Sequence, residues 1–183
     1  HMMRIAVARS AKQSGIRGFK SFFTEKNYMR RKDREVTDRS AIIDLINKCD
    51  VCRIGINNCG YPYIVPLNFG LVETEDRIEF YFHGALDGLK YELLEKDPQV
   101  GFEMDCDHAL ASREAEGYCT MNYGSVIGMG HIEFIDNEET KLKALDILCR
   151  KYHPDGFKFN PAAAGRTRVF KLVVEKLSAK AKV

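Results

Sequence analysis

The feature that most constrains the fold is a pair of β-rich runs, residues 61–72 and 77–82, with a short polar stretch between them. Runs rich in β-branched and aromatic residues around such a turn are typical of an antiparallel hairpin. Pro66 lies inside the first run, and proline cannot donate a backbone hydrogen bond to a neighbouring strand. The sequence therefore predicts a hairpin whose first strand lies at a sheet edge or beside a ligand.

The second run leads into a turn of small residues, His83-Gly84-Ala85, after which Gly88 and Lys90 follow. This pattern predicts the start of a short helix. Free backbone N–H groups at a helix start, together with a cation, bind anions. A phosphate-sized anion site beside a strand with a missing donor indicates a phosphorylated cofactor, although the spacing does not identify which one.

The remaining sequence predicts a mainly β fold with a few helices. Apolar residues at helical spacing predict a helix capped by Thr37 or Asp38, a short helix at 89–94, and a third at 138–150. Further strand patterns lie at 51–56, 100–104, 118–135 and 167–175, with a glycine break at 128–130. The polar stretch 105–117 is expected to form a loop and the tail after 175 to fray. Consecutive hairpins predict an antiparallel barrel of six or seven strands.

Charge and length predict how the 183 residues are organised. Residues 1–28 contain six basic residues and one acidic residue, which predicts a basic N-terminal extension ahead of one domain at 29–183. Ile16, Phe19, Phe22 and Phe23 lie near helical spacing, which favours a docked helix over a transit peptide. Because the total charge is +2, the domain is mildly acidic, which argues against nucleic acid as a partner. No apolar run approaches the roughly 18 residues that cross a membrane, and we expect a cytoplasmic protein.

The cysteines allow two interpretations. Cys49-x-x-Cys52, with Cys59 and Cys106-x-His108, contains the residue types of a zinc or dithiol site. However, Cys49 falls on the apolar face of a predicted helix and Cys52 in a predicted strand, and cysteine is among the most buried residue types. We therefore expect free thiols and no metal site.

Three segments occur together and in order: Tyr-Ile-Val-Pro-Leu-Asn-Phe-Gly at 63–70, Phe-His-Gly-Ala-x-x-Gly-x-Lys at 82–90, and Tyr-x-Ser-Val-Ile-Gly-x-Gly at 123–130. This set resembles the FMN-binding split barrels of the pyridoxamine 5′-phosphate oxidase-like family. In particular, it resembles the branch related to nitroimidazole resistance (Nim) proteins. The resemblance covers about residues 29–178.

The resemblance implies a homodimer of six-stranded, Greek-key split barrels with FMN at the subunit interface. Eight residues match family positions at the cofactor: Val65, Pro66, Leu67 and Asn68 along the isoalloxazine, His83, Gly84 and Lys90 at the phosphate, and Ser125 on the long strand. Vitamin B6 oxidases of the family carry Arg and Lys on the strand that matches 63–68 and end in a segment with Trp and Arg. This chain has no Trp and reads Leu-Ser-Ala-Lys at 177–180, which argues against that activity.

The resemblance also implies a class of function. The first hypothesis is a nitroreductase-like, FMN-dependent oxidoreductase that passes electrons from a reduced donor such as NAD(P)H to a small-molecule acceptor. His83 is then the one well-placed acid–base candidate. The alternatives are a flavin-binding protein that stores or senses flavin, and a zinc- or thiol-dependent module built on Cys49, Cys52 and Cys59.

Overall fold

The computed structural model describes residues 29–158 and 160–182, so the predicted extension at 1–28 lies outside the described residues. The strands are β1 (Glu35–Val36), β2 (Cys52–Ile56), β3 (Tyr63–Leu67), β4 (Gly70–Glu73), β5 (Ile78–Gly84), β6 (Gln99–Arg113), β7 (Tyr118–Ile135) and β8 (Arg168–Lys182). The helices are α1 (Arg39–Lys48), α2 (Leu89–Lys96), α3 (Glu138–Tyr152) and the single turn α4 (Pro161–Ala164). No helix among these residues is long and apolar enough to cross a membrane.

The strands form one antiparallel sheet in the order β3-β2-β6-β7-β8-β5-β4, with β1 beside β8. Strands β3 and β4 lie at opposite ends of this order, yet only Asn68 and Phe69 separate them in the chain. Two linking residues span at most about 11 Å between Leu67 and Gly70. The two ends of the sheet must therefore approach each other, and the sheet curls into a barrel that is split beside β3. The predicted mainly β, antiparallel barrel is confirmed, although the described residues form eight strands.

The predicted hairpin is confirmed in its second half, where β4 pairs with β5 around a turn in which the Thr74 N–H donates to the Arg77 carbonyl at 2.9 Å. The prediction of one continuous strand at 61–72 is wrong. Phe69 is fully buried, and its N–H donates to the Tyr152 hydroxyl of α3 at 3.0 Å instead of to a neighbouring strand. The chain therefore bends at Asn68-Phe69, and β3 turns away to pair with β2.

The helices close the barrel as their sequence patterns predict. The Asp38 side chain caps α1 by accepting from the Ala41 N–H at 2.9 Å, and α1 packs against β6 and β7. The Asn137 side chain caps α3 by accepting from the Thr140 N–H at 3.0 Å, and α3 packs against β4 and β5. Inside the barrel, the Phe80 ring meets the rings of Phe69 and Phe102 edge to face, with centroids 5.4 and 5.3 Å apart.

Two regions that were predicted to be irregular are strand. Most of 105–117 belongs to β6, which continues to Arg113 and pairs with β7 after a register shift between Cys106 and Ala109. The tail predicted to fray belongs to β8, which pairs with β7 as far as Lys182. Both segments are polar or rich in small residues, so their own propensity for strand is weak. The long strand β7 provides the backbone partners for both, and a contact of that range leaves no local signal. The predicted glycine break is confirmed by a register shift between Met129 and Gly130.

Candidate anion and cofactor site

The site is built where β5 ends and α2 begins. His83 and Gly84 are the last residues of β5, and they pair with Val169 and Arg168 of β8. Gly88 precedes α2 with a φ of +131°, a backbone conformation that strongly favours glycine. The predicted turn from strand into short helix is therefore confirmed, and it places Lys90 in the first turn of α2.

Two polar groups converge on the open side of Gly84. A Cβ atom added at this glycine would lie 2.5 Å from the Tyr91 hydroxyl oxygen and 3.1 Å from Lys90 Nζ. Only glycine leaves room for both groups at this point. We refer to Gly84, Lys90 and Tyr91 as the Gly84 cradle.

Tyr91 is the unusual member of the cradle. Its side chain is only 2% exposed, and its hydroxyl has no hydrogen-bond partner among the described residues. Buried polar atoms are almost always hydrogen-bonded in folded proteins, because an unmet donor loses its interaction with water and gains nothing. Because Gly84 has no Cβ, no side chain of its own fills the space beside this unpartnered hydroxyl. The arrangement indicates a position where an atom of a ligand fits.

The electrostatics of the cradle are positive. Lys90 Nζ lies 4.4 Å from the centroid of the Tyr91 ring, and it forms no salt bridge with any carboxylate in the part of the chain that the structure describes. The Arg168 guanidinium lies 4.7 Å from the same centroid, but Glu95 neutralises it through an ion pair. The charge of Lys90 is therefore available to an anion.

His83 lies next to the cradle and contributes no comparable charge. Its side chain reaches the surface, but protein atoms around it displace part of its water. This partial burial lowers the pKa of the imidazole below its ordinary value. The ring is therefore largely neutral near pH 7. A neutral imidazole donates from one nitrogen and accepts at the other, so His83 can hold or pass a proton at this position.

The predicted cofactor strand lies near this site. β3 is the edge strand of the sheet, as the proline at Pro66 predicts. Val65 and Leu67 are half-buried against the core, whereas the Pro66 side chain is exposed. Gly70 pairs with Tyr81, so the end of β3 lies at the same end of the barrel as His83. The Leu67 end of β3 thus lies on the same side of the barrel as His83 and Gly84.

The other two predicted residues are placed differently. The Asn68 side-chain amide donates to the Asp50 carbonyl at 3.0 Å, so it holds the bend between β3 and β4. Ser125 lies far along β7. His83 pairs with Val169 of β8, and Val169 pairs in turn with Ile135 of β7. Ser125 precedes Ile135 by ten residues, which is roughly 30 Å along a strand. By the same pairing, Ile127, two residues after Ser125, lies in one row with Pro66 of β3.

Sequence reasoning missed Tyr91 and Arg168. Tyr91 reads as a core residue of α2, because it lies at helical spacing from Leu94 and both are buried. The available signal was chemical, because a buried tyrosine hydroxyl normally requires a partner. Arg168 shows no local signal, since its contact with Tyr91 depends on the pairing of β8 with β5.

Two of the three cysteines of the motif, Cys49 and Cys52, lie in the core, whereas Cys59 is exposed. Cys49 and Cys52 are buried, and burial raises the pKa of Cys49 to about 12 and that of Cys52 further still. The thiol of Cys49 donates to the Leu45 carbonyl at 3.2 Å, and Cys106 approaches the same carbonyl at 3.8 Å. Among the described residues, no group of three or more His, Cys, Asp or Glu side chains could hold a metal ion.

Comparison with known proteins defines first the fold and then the family. The barrel is a split barrel of the type found in flavoproteins. A family profile described as pyridoxamine 5′-phosphate oxidase matches residues 38–181, so the chain belongs to the pyridoxamine 5′-phosphate oxidase family. A search of curated protein sequences found no match. The family resemblance in the sequence motifs is thus confirmed.

Three solved structures illustrate the relationship. A candidate 5-nitroimidazole antibiotic resistance protein from Bacteroides thetaiotaomicron is 31% identical, covers 80% of this chain and 85% of its own, and has a TM-score of 0.69. The flavocytochrome Anf3 from Azotobacter vinelandii is 19% identical, and the match covers 85% of this chain and 72% of the flavocytochrome, with a TM-score of 0.68. An FAD and heme binding protein from Mycobacterium smegmatis is 18% identical, and the match covers 81% of this chain and 73% of that protein, with a TM-score of 0.70. At their lower identities, the last two show a shared fold.

Proposed function

We propose that this protein binds FMN and is an oxidoreductase of the nitroreductase type. It would pass electrons from a reduced donor such as NAD(P)H to a small-molecule acceptor. The observation that carries the proposal is the Gly84 cradle at the start of α2. There, among the described residues, a buried hydroxyl has no hydrogen-bond partner and an ammonium has no carboxylate partner. The similarity to a candidate nitroimidazole resistance protein supports the acceptor class, and the flavin-binding neighbours support the cofactor.

The residues present fit FMN. A phosphate group needs a cation and N–H donors, and Lys90 with the start of α2 provides both. The flavin ring needs a flat, partly apolar surface with backbone polar groups at its rim. The edge strand β3 offers such a surface at Val65, Pro66 and Leu67, since only one of its edges pairs with another described strand. When bound, the flavin supplies the electron-transfer chemistry, and the protein binds and orients it.

In this proposal His83 is the proton-handling residue. It is neutral near pH 7, so it can hold a proton on one ring nitrogen and accept at the other. Reduction of a small acceptor requires protons as well as electrons, and the exposed side chain of His83 is open to such an acceptor. Lys90 cannot share this role, because its ammonium is committed to the anion.

We also propose that the protein is a homodimer with FMN at the interface. The outer surface of the sheet offers a smooth apolar patch, since Ile64 and Met129 are 61% and 56% exposed. The residues between them across the sheet are Gly55 and Gly101, which add no side chains. Equilibrium sedimentation should give twice the chain mass, and Met129→Lys should shift the distribution to monomer.

The first test is the visible absorption spectrum of the purified protein, followed by heat release and chromatography of any chromophore. We expect a two-banded flavin spectrum and FMN as the released species. A protein that is colourless and does not take up added FMN would contradict the proposal.

The role of His83 is tested by His83→Ala. We expect FMN to remain bound and the steady-state oxidation of NAD(P)H with a nitroaromatic acceptor to fall about 10²-fold, in the range that proton-transfer groups contribute. Full turnover with FMN bound would remove His83 from the mechanism.

A flavin-binding protein without sustained turnover is the second candidate. Burial displaces the pKa of both His83 and Tyr91 in the site, but the raised pKa of Tyr91 keeps that hydroxyl protonated. His83 is thus the one described group of the site placed to accept a proton, whereas an enzyme that handles protons often combines several such groups. Oxidation of NAD(P)H that stays at background with every acceptor tested, in a protein that retains FMN, would favour this candidate.

A further inference from the structure

We propose that the Tyr91 hydroxyl donates a hydrogen bond to the same anionic group that Lys90 binds, and that this bond makes the site selective for phosphorylated flavin over riboflavin. The inference rests on the proposed FMN-binding function. It adds a binding residue that the family motifs do not contain, because those motifs end at Lys90.

The position of the hydroxyl is the first argument. It lies 2.5 Å from the point that a Cβ on Gly84 would occupy, and Lys90 Nζ and Cε lie 3.1 and 3.2 Å from that same point. The two donors therefore face one small volume, as two ligands of one phosphate would. The end of the flexible Lys90 side chain lies beside the buried hydroxyl at this point. Movement of this chain toward an incoming anion would open the space next to the second donor.

The packing of the ring is the second argument. The Tyr91 ring meets the Phe170 ring edge to face, with centroids 5.9 Å apart, and the Phe134 ring at 6.2 Å. A phenylalanine would fill this space equally well. The buried hydroxyl without a partner makes the fold less stable, because it is desolvated without compensation. Packing thus explains the ring and leaves the hydroxyl unexplained.

The preorganisation of the donor is the third argument. Cations lie near the ring, with Lys90 Nζ at 4.4 Å and the Arg168 guanidinium at 4.7 Å from its centroid. The Arg168 guanidinium and the rings of Phe170 and Phe134 keep the Tyr91 ring in place when Lys90 moves to the anion, so little conformational entropy of the ring is lost on binding. Burial also raises the pKa of the hydroxyl, which keeps it protonated and able to donate at physiological pH.

The experiment compares Tyr91→Phe with Tyr81→Phe in the full chain, by fluorescence titration with FMN and with riboflavin. Tyr81 is the matched control, because its hydroxyl donates to Glu79 at 2.7 Å in a separate network. We expect Tyr91→Phe to weaken FMN binding about tenfold, the equivalent of one hydrogen bond of about 1.4 kcal/mol, and to leave riboflavin binding unchanged. Tyr81→Phe should leave both affinities unchanged.

A second readout does not depend on flavin. Without ligand, Tyr91→Phe should have a higher Tm than the parent protein, because the unmet hydroxyl is gone. With saturating inorganic phosphate, the parent Tm should rise more than that of the variant. The inference would be overturned if Tyr91→Phe bound FMN as tightly as the parent does, or if the variant lost affinity for FMN and riboflavin equally. In both cases FMN binding by the parent would still support the proposed function. If the parent binds no flavin, the proposed function fails, and equal phosphate stabilisation of the two proteins would then overturn the inference as well.

Discussion

The two ends of β5 place buried polar groups against β8 in opposite ways. At the Glu79 end, the buried carboxylate accepts from Lys171 at 2.9 Å and from the Tyr81 hydroxyl at 2.7 Å. At the Gly84 end, the Tyr91 hydroxyl has no partner among the described residues. One end of β5 thus carries a polar network whose members bond to each other. The other end lies beside a hydroxyl of α2 that has no partner among the described residues.

The difference shows which end contributes stability and which end is left for a ligand. Burial works to raise the pKa of Glu79, but the hydrogen bonds from Lys171 and Tyr81 outweigh it and hold the pKa below its ordinary value. Lys171 also pairs with Glu133 at 3.2 Å. The buried carboxylate of Glu79 is thus satisfied within the protein. In the cradle, a ligand can supply what the fold leaves unmet.

The largest expected effect is at the closed end. Lys171→Met removes the cation from a buried carboxylate and should lower the free energy of unfolding by about 3 kcal/mol. FMN affinity should stay unchanged, because the network does not reach the cradle. Urea unfolding and a flavin titration measure the two quantities. A variant as stable as the parent would show that the network does not contribute to stability.

The next effect uses two glycines to separate binding from folding. Gly84→Ala places a methyl group against the Tyr91 hydroxyl and Lys90, and it should weaken FMN binding about tenfold, or about 1.4 kcal/mol.

Gly70→Ala is the matched control. Its methyl group would lie 2.8 Å from the Leu148 backbone of α3, so it should lower the free energy of unfolding by about 2 kcal/mol. FMN affinity in the folded Gly70→Ala protein should not change. If both variants lost FMN affinity equally, the cradle would not be a distinct site.

A smaller effect is expected with pH. Glu79 and Glu133 both have pKa values below their ordinary ones. For Glu79, burial opposes the lowering by Lys171 and Tyr81, and for Glu133 the hydrogen bond from Lys171 is the main cause. A carboxyl with a lowered folded pKa contributes stability above its unfolded pKa of 4.5 and loses it as the pH falls through the folded value.

Stability should therefore decline on the acid side below about pH 4.5, and the decline should be shallower in Lys171→Met. Urea midpoints at a series of pH values measure both slopes. Parallel acid limbs in the two proteins would contradict the assignment to this network.

The smallest effect concerns the cysteines, of which Cys49 and Cys52 resemble a site in sequence but are buried in the core. Thiol labelling of the native protein at pH 8 should modify Cys59 and Cys119 rapidly, because both are exposed. Cys49 and Cys52 should react only on unfolding, since they are buried and burial raises both thiol pKa values. Mass spectrometry of labelled peptides distinguishes the four. Rapid labelling of Cys49 in the native state would reopen the dithiol hypothesis.

Much of the fold was predictable because its signals are local. The hairpin turn, the caps of α1 and α3, the glycine break in β7 and the turn from β5 into α2 all depend on residues within a few positions of one another. The ordered family motifs added the barrel type and most of the candidate site. These features follow from backbone preference and periodicity, which a sequence shows directly.

Tertiary structure alone decided the rest. The bend at Phe69 depends on the Tyr152 hydroxyl. Residues 105–113 and the tail form strand because they pair with β7. The cation that packs on the Tyr91 ring comes from Arg168, in a distant strand. Each of these contacts joins residues far apart in the chain, so no window of sequence contains both partners. For the same reason, the sequence shows a tyrosine after Lys90, and only the structure shows that its hydroxyl lacks a partner in the part of the chain that it describes.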